Sequence, residues 1–338
     1  MLATAHNGVL PPTLSINTEF QALVSDCGIY TLNSRAKVLL TGDDRVRWLN
    51  GMVTNNIRDL AVGHGVYAFL LNPQGRILGD LYAYNQGDSI CLDTDENQAA
   101  KILEIFDHYI IMDDVEVENV SQKLTAIGLT GPKSIDILRA AEIEAGELQP
   151  LEFRNFQWNQ IPFTLVGCEQ EKRQSYEIWI APEHTQQLFG ALVKHGAVTI
   201  SDPTLELYRV ALGLPRYGQD IRERDLPQET EQTRALNFSK GCYVGQEIVE
   251  RIRSRGAVHR TFTGFLLESN SPAPGAKIQV DGKDVGEITS IATLPVHGSL
   301  QKVGLGYIRR ESASAGKEVT VGDTKATVAE LPFKAVFE

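Results

Sequence analysis

Cysteine is scarce in this chain, and its spacing excludes the common metal sites. The four cysteines, Cys27, Cys91, Cys168 and Cys242, lie far apart in the 338 residues and form no C-x-x-C pair. Because zinc and iron–sulfur clusters are usually held by closely spaced cysteines, we expect no metal site within the chain. Cys27, Cys91 and Cys168 are therefore interpreted as free thiols of a reducing cytosol.

Long apolar runs and a net positive charge are also missing. No stretch is long enough to cross a bilayer, and residues 1–13 have neither the basic start nor the apolar run of a secretory signal. The formal net charge is -11. This charge argues against nucleic acids and anionic membranes as partners, because phosphate contacts reward positive charge. We therefore expect a soluble, cytoplasmic protein with no direct nucleic-acid contact and no membrane partner.

A repeated order of secondary-structure elements is present instead. Residues 30–120 begin with a strand and an amphipathic helix, continue through several strands, and end with a second helix and a strand. Two of these strands, at 66–71 and 76–84, flank the turn sequence Asn-Pro-Gln-Gly. The same order recurs in residues 121–200. This repetition predicts an α+β fold with two antiparallel units of the ferredoxin-like, split β-α-β kind.

The last part of the chain has a different pattern. Residues 261–338 contain short β-rich runs separated by Gly- and Pro-containing turns, with no helical period. This pattern is typical of a small β-barrel or sandwich. Residues 201–260 connect it to the repeated units. Since the length is that of two or three domains, we expect two α+β units, a connecting segment and a C-terminal β-barrel.

The connecting segment contains the most specific feature of the sequence, K-G-C-Y-V-G-Q-E at 240–247. Two glycines around a Cys-Tyr-Val centre allow a tight turn and a close approach to a ligand. Residues 240–260 hold five Lys or Arg and two acids. Nearby cations favour a thiolate, so Cys242 is a candidate reactive thiol. Since free cysteines are often buried, packing as a small apolar residue is an equally good interpretation.

Arginine recurs at every second position after this motif, at Arg251, Arg253 and Arg255. On a strand, side chains with this spacing project from one face. Guanidinium groups on one side suit a polycarboxylate or a phosphate through bidentate contacts. A run this short is also typical of a solvated surface, and the spacing alone favours that alternative.

A Gly- and Pro-containing turn precedes the motif. Residues 213–220 end a predicted helix, and Pro-Gln-Glu follows at 227–229. Irregular backbone would hold Arg216, Tyr217 and Glu229, and binding groups often lie on such backbone. An ordinary surface loop fits these residues equally well.

Several of these stretches resemble a known superfamily. The motif at 240–247 resembles the K-G-C-[FY]-x-G-Q-E stretch of the YgfZ family and its mitochondrial iron–sulfur assembly relatives. Thr-Asn-Asn at 54–56 is similar to the T-N-[DN] segment of the glycine cleavage T-protein. The hairpin at 70–77 with Asp80, and the turn at 213–220, are similar to its hairpin and its G-x-P-x-Y-G-x-D segment.

The resemblance, which runs from about Ser34 to the C-terminus, implies a ring of three domains with tetrahydrofolate in its central opening. It implies an accessory protein for iron–sulfur cluster assembly or repair. Its partners would be iron–sulfur assembly proteins or cluster-containing client enzymes, such as tRNA-modifying enzymes. It gives candidate catalytic roles to Cys242 and Asp80. The folate-binding residues that it implies are Asn55, Asn72, Arg216, Tyr217, Glu229, Lys240, Tyr243, Gln246, Glu247, Arg251 and Arg253.

Two departures from the T-protein pattern keep other functions open. Ala211 stands where T-proteins carry a glutamate that meets the pterin, and Gly79 replaces one of two adjacent acids in the hairpin. The first loss weakens the expected pterin contact, and the second leaves an acid–base pair for methylene transfer unassured. One alternative is therefore a folate-dependent aminomethyltransferase or demethylase of the T-protein type. The other is a non-catalytic scaffold with a vestigial pocket.

Overall fold

The computed structural model describes residues 15–169, 174–256, 258–269 and 271–337. The described chain begins with helix α1 (Ile16–Ser25) and strand β1 (Gly28–Thr31), neither of which the sequence analysis predicted. Ser15 caps the helix, because its hydroxyl accepts a hydrogen bond from the Thr18 amide at 3.3 Å. The helix is held by Phe20, which is fully buried in an apolar cluster shared with the C-terminal barrel.

The first α+β unit is built on a five-stranded antiparallel sheet. Its elements are β2 (Arg35–Thr41), α2 (Arg45–Met52), β3 (Gly65–Leu71), β4 (Ile77–Asn85), β5 (Ile90–Asp95), α3 (Glu96–Tyr109) and β6 (Glu116–Asn119). The strands lie in the order β3-β4-β5-β2-β6. Leu49 of α2 and Phe106 of α3 are buried in one cluster with Val38 and Leu81 of the sheet, so both helices pack against it.

The second unit is a six-stranded sheet that includes β1 from the start of the chain. Its further elements are β7 (Thr125–Thr130), α4 (Ser134–Ala140), β8 (Phe153–Trp158), β9 (Ile161–Gly167), β10 (Ser175–Ile180), α5 (Pro182–Lys194) and β11 (Val198–Thr199). The order is β11-β1-β7-β10-β9-β8. Strand β1 pairs in parallel with β11 and antiparallel with β7. The chain therefore forms the first unit between two strands of the second sheet.

The two sheets contact each other. Tyr84 and Cys91 of the first sheet are buried in one apolar cluster with Trp179 of the second. Lys37, which is 1% exposed, donates to the Asp93 carboxylate at 2.7 Å and lies 4.1 Å from the centre of the Trp179 ring. A buried ion pair with an aromatic partner thus joins the units close to the face on which the candidate site lies.

A connecting segment and a closed barrel complete the described chain. They comprise α6 (Asp202–Leu212), 3₁₀ turns at Pro227–Glu229 and Thr233–Ala235, α7 (Gln246–Arg255), β12 (Arg260–Leu267), β13 (Lys277–Val280), β14 (Lys283–Val296), β15 (Ser299–Arg309), β16 (Glu318–Val321) and β17 (Thr324–Ala329). The barrel order is β12-β15-β14-β13-β16-β17. The predicted α+β class with two α+β units and a C-terminal β-barrel is confirmed.

Candidate functional site

The hairpin of β3 and β4 places Asp80 beside aromatic side chains. Phe69 lies opposite Asp80, and Tyr67 lies opposite Tyr82 in the antiparallel register, so these side chains share one face. The Asp80 carboxylate accepts a hydrogen bond from the Tyr67 hydroxyl at 2.6 Å and another from the Gln98 amide at 2.7 Å. Burial raises the pKa of the Asp80 carboxyl, while these two hydrogen bonds oppose the rise. The carboxyl group is therefore fixed in orientation and keeps unused lone pairs.

A guanidinium from the connecting segment completes this group. The Arg234 guanidinium lies 4.4 Å from the centre of the Tyr67 ring and forms an ion pair with Glu169. The Tyr82 hydroxyl donates to Glu169 at 3.2 Å. The Arg234 and Glu169 side chains are 31% and 19% exposed, so solvent reaches the group. We call these five residues, Tyr67, Asp80, Tyr82, Glu169 and Arg234, the Asp80 cluster.

Thr54 and Asn55 attach the connecting segment to the hairpin. The Asn55 amide donates to the backbone carbonyls of Tyr67 and Arg234, each at 2.8 Å. The Thr54 hydroxyl donates to the Ala235 carbonyl at 2.6 Å and accepts from the Phe69 amide at 2.9 Å. Both amide hydrogens of Asn55 are thus engaged within the protein. Asn55, which was expected to bind folate, therefore holds Arg234 beside the hairpin.

The motif at 240–247 and the hairpin turn, which the sequence analysis identified separately, contact each other. Gly245 has φ +81°, and a Cβ there would lie 2.5 Å from the Asn72 carbonyl oxygen. Gly75 has φ +71°, and a Cβ there would lie 2.8 Å from the Ile248 Cβ. The Asn72 side chain caps its own turn by accepting from the Arg76 amide at 2.9 Å. Gly245 therefore allows the motif backbone to approach the hairpin closely, whereas the sequence analysis expected a close approach to a ligand.

Lys240 is buried and satisfied by backbone. Its ammonium donates to the carbonyls of Asn50, Val53 and Asn55 at 2.6, 2.7 and 2.6 Å, around the end of α2. Burial lowers the pKa of this ammonium to about 7. Since an ammonium has three donors, none remains for a folate or for the Cys242 thiol. The expectation that Lys240 binds the cofactor is at odds with this placement, which makes Lys240 an anchor of the motif loop.

Cys242 is the exposed cysteine among the four. Burial raises the pKa of the Cys91 and Cys168 thiols to about 12 and that of Cys27 to about 11. The interpretation of Cys242 as a packed apolar residue is therefore wrong, and this thiol is open to solvent. Within the described ranges, no hydrogen bond joins it to the Asp80 cluster.

The arginines after the motif lie on a helix and not on a strand, and the favoured alternative of a solvated surface fits Arg251 and Arg253. Helix α7 follows the left-handed Gly245, and Val249 on this helix is fully buried, which fixes its inner face. Arg251 pairs with Glu247 at 3.1 Å, while the Arg253 guanidinium lies 4.6 Å from the Phe238 ring centre. Arg251, Arg253 and Glu247 are exposed. Positions two apart on a helix diverge, so these arginines do not form one binding row.

The other expected folate-binding residues have partners within the protein. The buried Tyr217 donates its hydroxyl to the Leu78 carbonyl at 2.6 Å. Arg216 is half-exposed and pairs with Glu206 at 2.8 Å. Further contacts join Glu229 to Arg260 at 3.0 Å and the Gln246 side chain to the Tyr243 amide at 3.3 Å. These contacts hold the connecting segment together, and none of them is to the Asp80 cluster.

The place of the missing T-protein glutamate is a packed core in this chain. Ala211 is fully buried in the apolar cluster between α6 and the barrel, and its carbonyl accepts from the Phe333 amide at 3.0 Å. A carboxylate at this position would lack polar surroundings. The replacement of the T-protein glutamate by Ala211 therefore coincides with apolar packing of α6 against the barrel.

Sequence reasoning missed four members of the Asp80 cluster: Tyr67, Tyr82, Glu169 and Arg234. A signal for two of them was available, because Tyr67 and Tyr82 lie in the two predicted hairpin strands, whose observed register places them on the face of Asp80. No local pattern indicates Arg234 or Glu169, since long-range packing brings both to the hairpin.

The comparisons with known proteins agree with this architecture. Residues 12–240 match the GCVT N-terminal domain family, and residues 253–333 match the C-terminal β-barrel domain of CAF17. A chloroplastic protein of Arabidopsis thaliana with a provisional transferase name is 28% identical over 312 residues, covering 91% of this chain and 71% of its own. The aminomethyltransferase of Staphylococcus saprophyticus is 24% identical over 319 residues, covering 93% of this chain and 87% of its own.

A solved structure shows the same fold. The glycine cleavage system aminomethyltransferase T of Bartonella henselae superposes with a TM-score of 0.83 at 19% identity, covering 94% of this chain and 89% of that one. The pairing of a GCVT domain with a CAF17 barrel fits the YgfZ-type resemblance of the cysteine motif. The chain belongs to the GCVT family and carries a CAF17-type C-terminal β-barrel.

Proposed function

We propose that the protein binds tetrahydrofolate or a derivative at the Asp80 cluster. The observation that carries this proposal is the Asp80 carboxylate fixed on the Tyr67 hydroxyl, with the Arg234 guanidinium 4.4 Å from the centre of the Tyr67 ring. The amino-pyrimidine edge of a pterin donates two parallel N–H groups, which suit a carboxylate. Its flat ring suits an aromatic or guanidinium face. Membership of the GCVT family and curated relatives named aminomethyltransferase support a folate ligand in a central opening.

We further propose that the folate-bound protein supports iron–sulfur cluster assembly or repair through Cys242. Support comes from the YgfZ-type motif, the CAF17-type barrel and the exposure of this thiol. Partners would be iron–sulfur assembly proteins or cluster-containing clients, such as tRNA-modifying enzymes, and the compartment would be the cytoplasm. The described residues include no helix with the length and apolar character needed to cross a bilayer.

We also propose a division of the chain into four parts. Residues 30–120 and 121–200 are the two α+β units, 201–260 the connecting segment, and 261–338 the barrel. Helix α1 and strand β1 lie mostly before this division. Because β1 pairs with β7 and β11, it is assigned to the second unit.

A folate-dependent aminomethyltransferase is the alternative that the relatives' names favour. Both oxygens of Asp80 already accept hydrogen bonds, and Gly79 occupies the place of the second hairpin acid. The hairpin therefore offers one of the two adjacent acids of the T-protein pattern, which argues against methylene transfer. Formation of methylene-tetrahydrofolate with glycine-cleavage partner proteins would establish this alternative. A protein that binds no folate would instead be a scaffold.

Calorimetric titration with tetrahydrofolate tests the folate site. We expect binding by the unmodified chain and at least tenfold weaker binding by Asp80→Asn, because a bidentate charge-assisted contact is lost. Asp88→Asn is the matched control, since Asp88 is an exposed acid in the turn after strand β4, which carries Asp80. Absence of binding by the unmodified chain, or equal binding by Asp80→Asn and Asp88→Asn, would remove the Asp80 cluster from the proposal.

A further inference from the structure

A cavity lies on the barrel, and its lining shares no residue with the Asp80 cluster. It has a volume of about 510 Å³ and opens between the connecting segment and strands β13, β14 and β15. The lining residues that bear on ligand binding are Glu229, Arg260, Lys277, Glu287, Tyr307 and Arg309. Glu229 is the one expected folate-binding residue in this lining. We call this cavity the barrel cleft.

The strand register brings the chemistry of the barrel cleft together. Lys277, Glu287 and Tyr307 lie directly opposite one another on the three neighbouring strands. Directly opposite residues project from the same face, and Arg309, two positions after Tyr307, projects from it as well. This row of side chains cannot be recognised in the sequence, because the strands that carry it come together only when the barrel forms.

Two of the three acids of the barrel cleft, Glu229 and Glu287, are already paired with arginines, and the third, Asp284, accepts a hydrogen bond from the Gln279 amide at 2.8 Å. Glu229 is paired with Arg260 at 3.0 Å, and Glu287 is paired with Arg222 at 2.6 Å. The lining contains four Lys or Arg against three Asp or Glu, in a protein whose net charge is -11. The lining of the barrel cleft therefore carries an excess of one positive charge on a negative protein, and the buried Asp225 behind it pairs with Arg260 at 2.6 Å.

Two cations at the rim keep free donors. The Lys277 and Arg309 side chains are 57% and 60% exposed, and their nearest carboxylates lie at 3.7 and 3.9 Å. Within the described part of the chain, neither side chain donates a hydrogen bond. Their donors are therefore available to an oxyanion that enters between them.

Tyr307, which lines the barrel cleft, carries an unsatisfied hydroxyl. Tyr307 is 1% exposed, and its hydroxyl has no hydrogen-bond partner among the described residues. The Arg260 guanidinium lies 4.8 Å from the centre of its ring. Because buried hydroxyls normally have a partner, an oxygen-bearing ligand that reaches this hydroxyl would satisfy it.

We propose that the barrel cleft binds a compact, multivalent oxyanion carrying phosphate or carboxylate groups. Lys277 and Arg309 hold the anion at the rim, and the Tyr307 hydroxyl donates to it. The Asp80 cluster shares no residue with the lining of this site, so the proposal is that the two sites are separate. The proposed oxyanion would be a second ligand, in addition to the tetrahydrofolate that the family resemblance implies.

Calorimetric titration of the full chain with pyrophosphate and, separately, with citrate tests this inference. We expect binding of one or both anions, and the stronger of the two identifies the ligand group as phosphate or carboxylate. Arg309→Gln and Lys277→Gln should each weaken binding about tenfold, as expected for a charge-assisted contact. Tyr307→Phe, which keeps the ring packing, should weaken it several-fold. Lys325→Gln is the control, because Lys325 is an exposed barrel lysine outside the cleft.

Two results would overturn the barrel cleft as a separate anion site. One is the absence of binding by either anion, or equal weakening by Lys325→Gln and Arg309→Gln, which would indicate diffuse electrostatics. The other is competition, in which saturating tetrahydrofolate abolishes anion binding. Retained anion binding by Asp80→Asn would support the separate site even if the chain binds no folate.

Discussion

The two glycines that flank Cys242 are expected to respond very differently to the same substitution. Gly245 has a left-handed φ of +81°, and an added Cβ would lie 2.5 Å from the Asn72 carbonyl oxygen. Left-handed backbone costs an alanine about 1–2 kcal/mol, and the displacement of a packed backbone costs about 1–3 kcal/mol more. We therefore expect Gly245→Ala to lower the free energy of unfolding by about 2–5 kcal/mol. An added Cβ at Gly241 meets no atom within 4 Å.

Gly241→Ala is consequently the matched control. Without a clash or a left-handed φ, it is expected to change the free energy of unfolding by less than about 1 kcal/mol, with a small gain from the restricted unfolded chain. Urea unfolding of the three chains measures both effects, provided that the denaturant slope is unchanged. Equal destabilisation by Gly241→Ala and Gly245→Ala would refute the packing of the motif loop onto the hairpin. So would a Gly245→Ala chain as stable as the unmodified protein.

Two further changes test how the connecting segment, including the motif at 240–247, is attached to the first α+β unit. Thr54→Val keeps the shape of Thr54 but leaves the Phe69 amide and the Ala235 carbonyl unpaired; we expect urea unfolding to show a loss of about 2–4 kcal/mol, whereas an unchanged midpoint would contradict the attachment. Burial lowers the pKa of Lys240 to about 7 in the folded chain, while a lysine in an unfolded chain titrates at about 10.4. The unfolded state therefore binds more protons between these values, and the free energy of unfolding contributed by this group rises with pH across that window. Lys240→Met should remove that rise between pH 7 and pH 9, and an unaltered pH dependence would show that the ammonium is not desolvated.

The local elements of the fold were predictable from the sequence because their signals are local. The strand-like runs on either side of Asn-Pro-Gln-Gly predict β3 and β4, and the structure has these strands at Gly65–Leu71 and Ile77–Asn85. The barrel was predictable from its turns and its lack of helical period. Strand β1 was missed because it has only four residues and its partners, β7 and β11, lie about a hundred residues or more further along the chain.

The arginine repeat shows how a real pattern can be assigned to the wrong period. Arg251 and Arg253 alternate, as they would on a strand, but Ile248, Val249 and Ile252 recur at helical spacing through the same residues. The buried Val249 and the contact of Ile248 with Gly75 show that the apolar residues decide the element. Charged side chains tolerate either period because they remain in solvent.

The candidate site was predictable only in part, because sequence motifs do not separate binding residues from residues that hold the fold. Asp80 was identified from its resemblance, and it lies at the centre of the cluster. Lys240, Asn55 and Tyr217 were identified in the same way, yet their donors are directed to backbone carbonyls. Arg234 carries no local signal, and its place beside Tyr67 depends on contacts across more than a hundred residues.

The most direct test of the account is the restoration of iron–sulfur enzyme activity in cells that lack the native gene. Ser239→Ala is the control, since Ser239 lies on the same exposed loop as Cys242 and its side chain makes no hydrogen bond among the described residues. We predict that the unmodified chain and Ser239→Ala restore the activity, while Cys242→Ala, present at the same level, does not. Full restoration by Cys242→Ala would contradict the account.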